Sequence, residues 1–417
     1  MNGITILTWV VLGLTALTTV CYCYHFFYLF IPFLKKRSIP ETNEQKKYAI
    51  LIAARNEEKV LPHLLKSICD QDYPKELFSI YVVADNCTDN TAQVAREHGA
   101  TVYTRFNKKQ VGKGYALSHL LEQIRQEPDY ESIDAFLIFD ADNLLAKDYL
   151  KQINRLPAAG FEAFCGYRNT KNYGDSWIAS GYGLWYIHES THMNRSRFAM
   201  GTTCAVNGTG FGFTRQLMER IGGWPFHCLT EDIEFNQWCA SNQVKIGYCH
   251  EAIAYDEQPI KFKLSWTQRT RWTQGGIQVS LRYGGRLIKG LTKGTWSRWA
   301  CFEMMTLCLW GYGLSGLSAV LSFLLALLSG GPVGLAYALG GAFIGAYLSM
   351  AAIGAFTLLT EKDRIFASTG CKIASIFTFP IFMLSFIPIA ALACFRKFEW
   401  KPIAHTVAIS NEEIGKK

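Results

Sequence analysis

Two aspartates separated by one alanine, Asp140-Ala141-Asp142, set hard carboxylate oxygens side by side at the end of an apolar run. Such a donor pair suits Mg2+ or Mn2+. A divalent ion held there could bridge a nucleotide diphosphate and neutralise charge on a departing phosphate. A lone D-x-D also reads as a solvated turn beside a helix cap, so its company matters. Asp85 ends another apolar run, where a carboxylate can accept from a uracil edge. Between the two, Gly112-Lys113-Gly114 offers a lysine able to meet a diphosphate.

Farther along, Thr230-Glu231-Asp232 follows Gly222-Gly223-Trp224-Pro225. A carboxylate beside a sugar hydroxyl can take its proton as a new bond forms. The same three residues also fit a helix N-terminus with an acidic first turn. Gln268-Arg269-Thr270-Arg271-Trp272 lies in a basic, aromatic stretch from Lys261 to Arg286. Arginine binds phosphate bidentately, and an indole face can stack on a pyranose ring. An interfacial amphipathic helix with its Trp at headgroup level is a second reading of this stretch, and both can hold at once.

These residues need elements to position them. Strands are expected at Tyr48–Ala54, Ser79–Ala84, Thr101–Thr104 and Ala135–Phe139. Helices are expected over Glu57–Asp70, after Thr88 or Asp89, and after Gly114. Alternating strand and helix predicts a parallel sheet covered on both faces. Ligands of such sheets bind beyond the carboxyl ends of the strands. Arg55-Asn56-Glu57, Asp85-Asn86 and Asp140-Ala141-Asp142 all fall there.

Composition adds a membrane. Of 417 residues, 49% are hydrophobic and only 18% charged, against roughly a quarter charged in an ordinary globular chain. The deficit is local: 1–34, 304–360 and 373–395 carry no Asp, Glu, Lys or Arg. This excludes a purely soluble, a disordered or a disulfide-framework protein. Residues 1–34 predict one tilted helix, and Lys35-Lys36-Arg37 places its N-terminus outside. The run 304–360 fits two helices turning at Gly330-Gly331-Pro332, with basic residues on both flanks. The stretch 373–395 also has basic residues on both sides (Lys372; Arg396, Lys397, Lys401) and is interrupted by Pro380 and Pro388, so it either spans or re-enters. The expected divisions are 1–34, 35–261, 262–300, 301–360, 361–395 and 396–417. The thirteen cysteines form neither a C-x-x-C pair nor a zinc pattern. The +8 net charge flanks apolar segments, so nucleic acid is not an expected partner.

In their order, Asp85, D-x-D, T-E-D and Q-x-x-R-W followed by apolar helices, the chain resembles the family-2 processive membrane glycosyltransferases, which include cellulose, hyaluronan, chitin and poly-N-acetylglucosamine synthases. The resemblance runs from about residue 48 to 360. It implies a GT-A-like α/β nucleotide-sugar-binding domain with interfacial amphipathic helices, Trp177–His192 and Leu264–Leu287, beside an all-α transmembrane region. Carried over, Asn56, Glu57 and Asp85 would hold uridine, and Lys113 the diphosphate. Asp140 and Asp142 would hold the nucleotide and Mg2+ or Mn2+. Asp232 would be the general base, with Thr230 and Glu231 beside it. Gln268, Arg269 and Arg271 would face the donor diphosphate. Trp272 and the loop through Gly208, Thr209 and Gly210 would meet the acceptor.

The implied protein lies in the plasma membrane, multi-pass, with its catalytic domain cytoplasmic. Its partners are a UDP-sugar donor, a growing polysaccharide and the bilayer. It would make a β-glycan, with UDP-glucose favoured, and secrete it through its own channel. The alternatives are a poly-N-acetylglucosamine or hyaluronan type of synthase, a single-transfer lipid glycosyltransferase, and a non-catalytic nucleotide-sugar sensor. Two departures stand out: Val206-Asn207-Gly208-Thr209-Gly210 replaces the cysteine-bearing loop of cellulose synthases, and Asn86 stands where many relatives have a second Asp. The short stretch after Phe395 leads us to expect no cyclic-di-GMP sensor of the PilZ type.

Overall fold

The computed structural model describes residues 2–294, 296–307, 309–395 and 407–414. Eight strands form one sheet: β1 Tyr48–Ala54, β2 Phe78–Asp85, β3 Thr101–Arg105, β4 Ala135–Asp140, β5 Leu144–Leu145, β6 Ala163–Thr170, β7 Phe211–Thr214 and β8 Ile246–Asp256. The four expected strands are present, each lengthened by at most one residue at either end. They are nearly continuous apolar runs because both faces are covered. Tyr48, Ile50, Leu51, Ile52, Leu137 and Phe139 are fully buried under Leu64, Leu117 and Leu120 of the flanking helices. Those helices are α3 Leu61–Cys69, α4 Thr91–Glu97 and α5 Lys113–Ile124. Helix α3 begins later than expected, because Arg55 to Val60 form a turn instead.

The order is β3-β2-β1-β4-β7-β6-β8-β5. Only the first half matches the expected parallel sheet: β1 pairs parallel with β2 and β4, and β2 with β3. Beyond β4 the sheet is mixed. Strand β7 runs antiparallel to β4 and β6, β8 parallel to β6, and β5 antiparallel to β8. Strand–helix alternation stops after β4. Small helices α6 Tyr149–Ile153 and α7 Arg155–Ala158 precede β6, and a long helical arm then carries the chain to β7.

That arm is α8 Trp177–His188, a π-helical turn Glu189–Asn194, and α9 Arg195–Met200. Helix α8 is apolar nearly all round and therefore buried, while the turn and α9 bury polar residues such as His192, Asn194 and Arg197; the arm lies between the sheet and the apolar helices. After β7 come α10 Arg215–Ile221 and α11 Glu231–Ser241. Following β8, the long α12 Phe262–Gly290 exposes Leu281 and Ile288 among its basic residues.

The apolar layer begins with α1 Gly3–Tyr22 and α2 Tyr24–Leu34, separated at Cys23. It continues through α13 Trp296–Thr306, α14 Leu309–Glu361, α15 Thr369–Leu384 and α16 Phe386–Ala393. Three stretches are long and apolar enough to cross a membrane: Gly3–Leu34, Trp310–Arg364 and Thr369–Ala393. Helix α14 is two arms broken at Gly331, where φ is 61°. Space beside Gly334 is filled by the carbonyl of Ala326, a residue about 12 Å away along an unbroken helix. The chain thus reverses there.

The last apolar stretch breaks at Ser385, and the chain touches the α/β domain on both sides of it. Before it, Arg364 donates to the His250 carbonyl at 3.1 Å and lies over the Tyr167 ring. After it, Lys171 Nζ donates to the Val407 carbonyl at 2.7 Å, Val407 N–H to Glu257 at 3.0 Å, and Asn411 to the Leu145 carbonyl at 2.7 Å. Arg396, Lys397 and Lys401 lie outside the described residues. These contacts favour re-entry over a single crossing. Re-entry predicts that green fluorescent protein fused after Ala367 and after Ile414 behaves alike in cells, as does alkaline phosphatase fused at the same two points. Opposite behaviour at the two points would mean that the segment spans.

Candidate active site

The end of β4 is stitched to the loop before β7. Asp140 N–H donates to Asn143 Oδ1 at 3.0 Å and to Thr209 Oγ1 at 3.1 Å, and the Thr209 hydroxyl donates to Asn143. Gly208 and Gly210 have φ of 82° and 64°, the left-handed region that favours glycine, so the loop folds tightly over the D-x-D turn. Asp142 is buried, its Oδ2 accepting from Glu257 N–H at 3.1 Å. Its carbonyl accepts from Lys171 Nζ at 2.9 Å.

Lys113, the first residue of α5, joins three segments. Its Nζ lies 2.5 Å from Asp140 Oδ1, 2.6 Å from the Gly208 carbonyl and 3.7 Å from Glu231 Oε1. Burial opposes its charge, but Asp140 and Glu231 more than reverse this and hold its pKa above the ordinary lysine value. Gly114 makes the approach possible: a side chain there would collide with the Phe226 carbonyl. Tyr115 stacks on His227 next to it, with ring centroids 4.3 Å apart.

Glu231 and Asp232 open α11 within this cluster. Burial raises the pKa of both; Lys113 pulls both down, and Arg168 also pulls down that of Asp232. Thr230 packs against α12, where any side chain at Gly275 would strike it. Asp140, Lys113, Gly208, Thr209, Gly210, Glu231 and Asp232, distant in sequence, therefore converge at one end of the sheet.

Other expected residues stand differently. Asp85 is buried and paired with Arg105 Nη1 at 2.6 Å. The sequence reading missed Arg105, although the parallel register pairs it with Asp85 at adjacent strand ends. Asn56, with φ of 59°, turns its Oδ1 to Thr88 N–H at 2.8 Å and so fastens the β1 turn to the β2 turn. Glu57 N–H donates to Thr91 Oγ1 at 2.8 Å.

Arg269 corrects the expectation that it faces a diphosphate. It is fully buried, donating to the Phe382 carbonyl at 3.0 Å and Ser385 Oγ at 2.7 Å, with Phe382 and Phe386 rings around it. It serves the backbone freed at the α15–α16 break. Gln268 and Arg271 are partly exposed on α12. Trp272 sits among Tyr182, Trp185 and Tyr186, with ring centroids 5.8, 6.0 and 6.5 Å away. Beneath it Trp185 meets Phe386 and Tyr182 meets Phe382.

Sequence reasoning also missed Arg168 and Asp256, an ion pair between the ends of β6 and β8. Strand-end position was the available signal. No cluster of three or more His, Cys, Asp or Glu able to hold a metal occurs among the described residues. Asp140, its side chain 36% exposed, and Asp142 are instead two oxygen donors. Such a set fits a Mg2+-like ion that keeps most of its ligands as water and substrate phosphate.

The family described as "Glycosyltransferase like family 2" matches residues 45–275, and the chain belongs to that family. Among curated relatives, it is 26% identical over 266 residues to "Probable glycosyltransferase YdaM" of Bacillus subtilis (strain 168), covering 61% of this chain and 62% of that one. It is 27% identical over 265 residues to a beta-monoglucosyldiacylglycerol synthase of Nostoc sp., covering 60% and 53%. A poly-beta-1,6-N-acetyl-D-glucosamine synthase of Staphylococcus epidermidis is 26% identical over 294 residues, covering 69% and 68%. The match spans between half and about three fifths of the first relatives' own length. A mannosyltransferase of Pyrobaculum calidifontis, solved with GDP-Man and Mn2+, shares the GT-A-like fold at a TM-score of 0.59 and 17% identity, covering 92% of this chain and 99% of that one.

Two expectations follow. A carboxyl with a raised pKa stays protonated, and so cannot accept a proton, until the pH exceeds that raised value. The acid limb of kcat/KM should therefore lie above the ordinary carboxylate range of about 4. Lys113→Met should move it higher still, as read from pH–rate profiles. Arg269→Leu should leave nucleotide-sugar affinity intact while lowering thermal stability in detergent by about 1–3 kcal/mol, the cost of an unpaired buried carbonyl. Calorimetric titration and melting curves read the two effects separately.

Proposed function

We propose that the chain is an inverting hexosyltransferase that moves a sugar from UDP to the hydroxyl of an acceptor carried on a membrane lipid. The convergence of Asp140, Lys113, Glu231 and Asp232 carries the transfer reaction. The acceptor hydroxyl attacks C1 on the face opposite UDP, and its proton passes to the Asp232 carboxylate. The C1–oxygen bond breaks with its electron pair leaving on the UDP β-phosphate, so an α-linked donor gives a β-linked product. Lys113 lies where it can meet that phosphate charge. A Mg2+ or Mn2+ ion held by Asp140 and Asp142 would supply further charge neutralisation; the structural neighbour's Mn2+ supports this choice. Asp85 and Asn86 close the nucleoside end, and Trp272 offers a stacking face to the acceptor sugar or headgroup.

The lipid acceptor rests on the aromatic packing beneath Trp272. Phe382 and Phe386 from the broken apolar segment pack against Tyr182 and Trp185 on the side of Trp272 that faces the apolar helices. A lipid-borne hydroxyl can approach from the membrane side without any passage through this layer. The diacylglycerol glucosyltransferase relatives support the same choice. A second reading, a processive β-glycan synthase using UDP-glucose or UDP-N-acetylglucosamine and secreting through its own channel, is favoured by the poly-N-acetylglucosamine synthase relatives and by the aromatic walls Tyr186 and Trp272. The basic run Lys35-Lys36-Arg37 supports a cytoplasmic catalytic domain at the plasma membrane.

Purified chain in diacylglycerol-containing liposomes, given radiolabelled UDP-glucose or UDP-N-acetylglucosamine with Mg2+ or Mn2+, should yield a chloroform-soluble monoglycosyl lipid. High-molecular-weight product cut by linkage-specific glycanases would establish the processive reading instead. Absence of transfer from a broad donor panel would support a sensor. Asp232→Asn should reduce transfer by about 10²–10⁴-fold while UDP affinity changes less than about twofold. Equal loss of both would contradict the base assignment.

A further inference from the structure

Arg168 projects from the end of β6 into the gap between the acceptor-side loop and the helical arm. Its Nε donates to Asp256 Oδ2 at 2.7 Å, its Nη2 donates to the same oxygen, and its Nη1 donates to the Asn207 carbonyl. The guanidinium carbon lies 3.6 Å from the Tyr186 ring centroid, a cation–π contact. A methyl group placed on Gly208 would stand 3.5 Å from Arg168 Nη1 and 3.8 Å from Asp232 Oδ2. The guanidinium and the proposed base therefore flank the same glycine. Lys113 holds the Gly208 carbonyl from the other side.

From this geometry we infer that Arg168, held by Asp256, is a positioning residue for the acceptor half of the reaction: it fixes the Asn207–Gly208 loop against Asp232 and holds Tyr186 beside Trp272 as a wall of the acceptor site. The inference rests on the transferase reading above. All five guanidinium N–H groups cannot be free for substrate phosphate, because Nε, Nη1 and Nη2 already serve the protein. Arg168 acts through what it holds. Asp256 fixes the fork, the fork fixes a backbone carbonyl, and the stacked face fixes a ring that stands 6.5 Å from Trp272.

Its charge has a second effect. The groups facing Asp232 are Lys113 from α5, Arg168 from β6, Tyr186 from α8 and Glu231 on its own helix, with Asp140 behind Lys113 and Asp256 behind Arg168. Removing one of the two cations leaves burial less opposed, so Asp232 would hold its proton to higher pH. Lysine at the same position keeps the charge but loses the planar fork and most of the ring stacking.

The test uses full-length chain in liposomes and three variants, Arg168→Gln, Arg168→Lys and Tyr186→Leu. It reads donor KM, acceptor KM, the pH profile of kcat/KM, and UDP affinity by calorimetry. Arg168→Gln should shift the acid limb to higher pH and raise acceptor KM at least about tenfold, with UDP affinity changed less than about twofold. Arg168→Lys should leave the limb in place while raising acceptor KM. Tyr186→Leu should raise acceptor KM alone. An unmoved limb in Arg168→Gln, or loss of UDP affinity in step with activity in both arginine variants, would overturn the inference. Wild-type chain that transfers no sugar from any donor would instead overturn the transferase reading on which it rests.

Discussion

A single ammonium group holds the reactive end of the sheet together. Lys113 joins the turn after β4 and the loop before β7, which also bond directly to one another, to the first turn of α11. Its partners include two carboxylates that are themselves beside a third, Asp232. Burial raises the pKa of Glu231 and of Asp232, and the ammonium beside them opposes that rise. Much of the local architecture serves this placement. The glycine after Lys113 lets α5 press against the Phe226 backbone, and the glycines around Thr209 let the loop present a carbonyl to the ammonium.

The helical layer is built around a different necessity. A helix interrupted among apolar neighbours exposes carbonyls that have no water to turn to. Ser385 is such an interruption, and Arg269 reaches into it with its charge cushioned between Phe382 and Phe386. This arginine belongs to a stretch that also carries Trp272, so the packing of the apolar segment and the position of the indole are set by one turn of α12. The indole at the cleft and the packing beneath it are thus joined locally.

Much of the first half of the fold can be read from the chain, because β1, β2 and β4 are unbroken apolar runs ending in polar residues. The second half is hard to read for a physical reason: β7 and β5 are too short for period-two alternation to register, and the arm between β6 and β7 is apolar all round in α8 and then buries polar residues such as His192, Asn194 and Arg197. The D-x-D turn, Lys113 and Thr230 to Asp232 are legible by type and fall together. Arg269 and Arg271 show where such reading fails. Two positions apart on a helix they are about 200° apart around the axis, so they cannot both face one diphosphate, and spacing alone does not say which one turns inward. Arg168 and Asp256 were missed because β6 and β8, neighbours in the sheet, are far apart in sequence, so their ion pair leaves no local pattern beyond strand-end position.

Lys171 and Glu257 grip Asp142 on one side and Val407 on the other. The described stretch that begins at Val407 is thereby tied to the second aspartate of the D-x-D turn. Val407 and Asp142 thus share both partners, so a displacement of either one would be felt at the other.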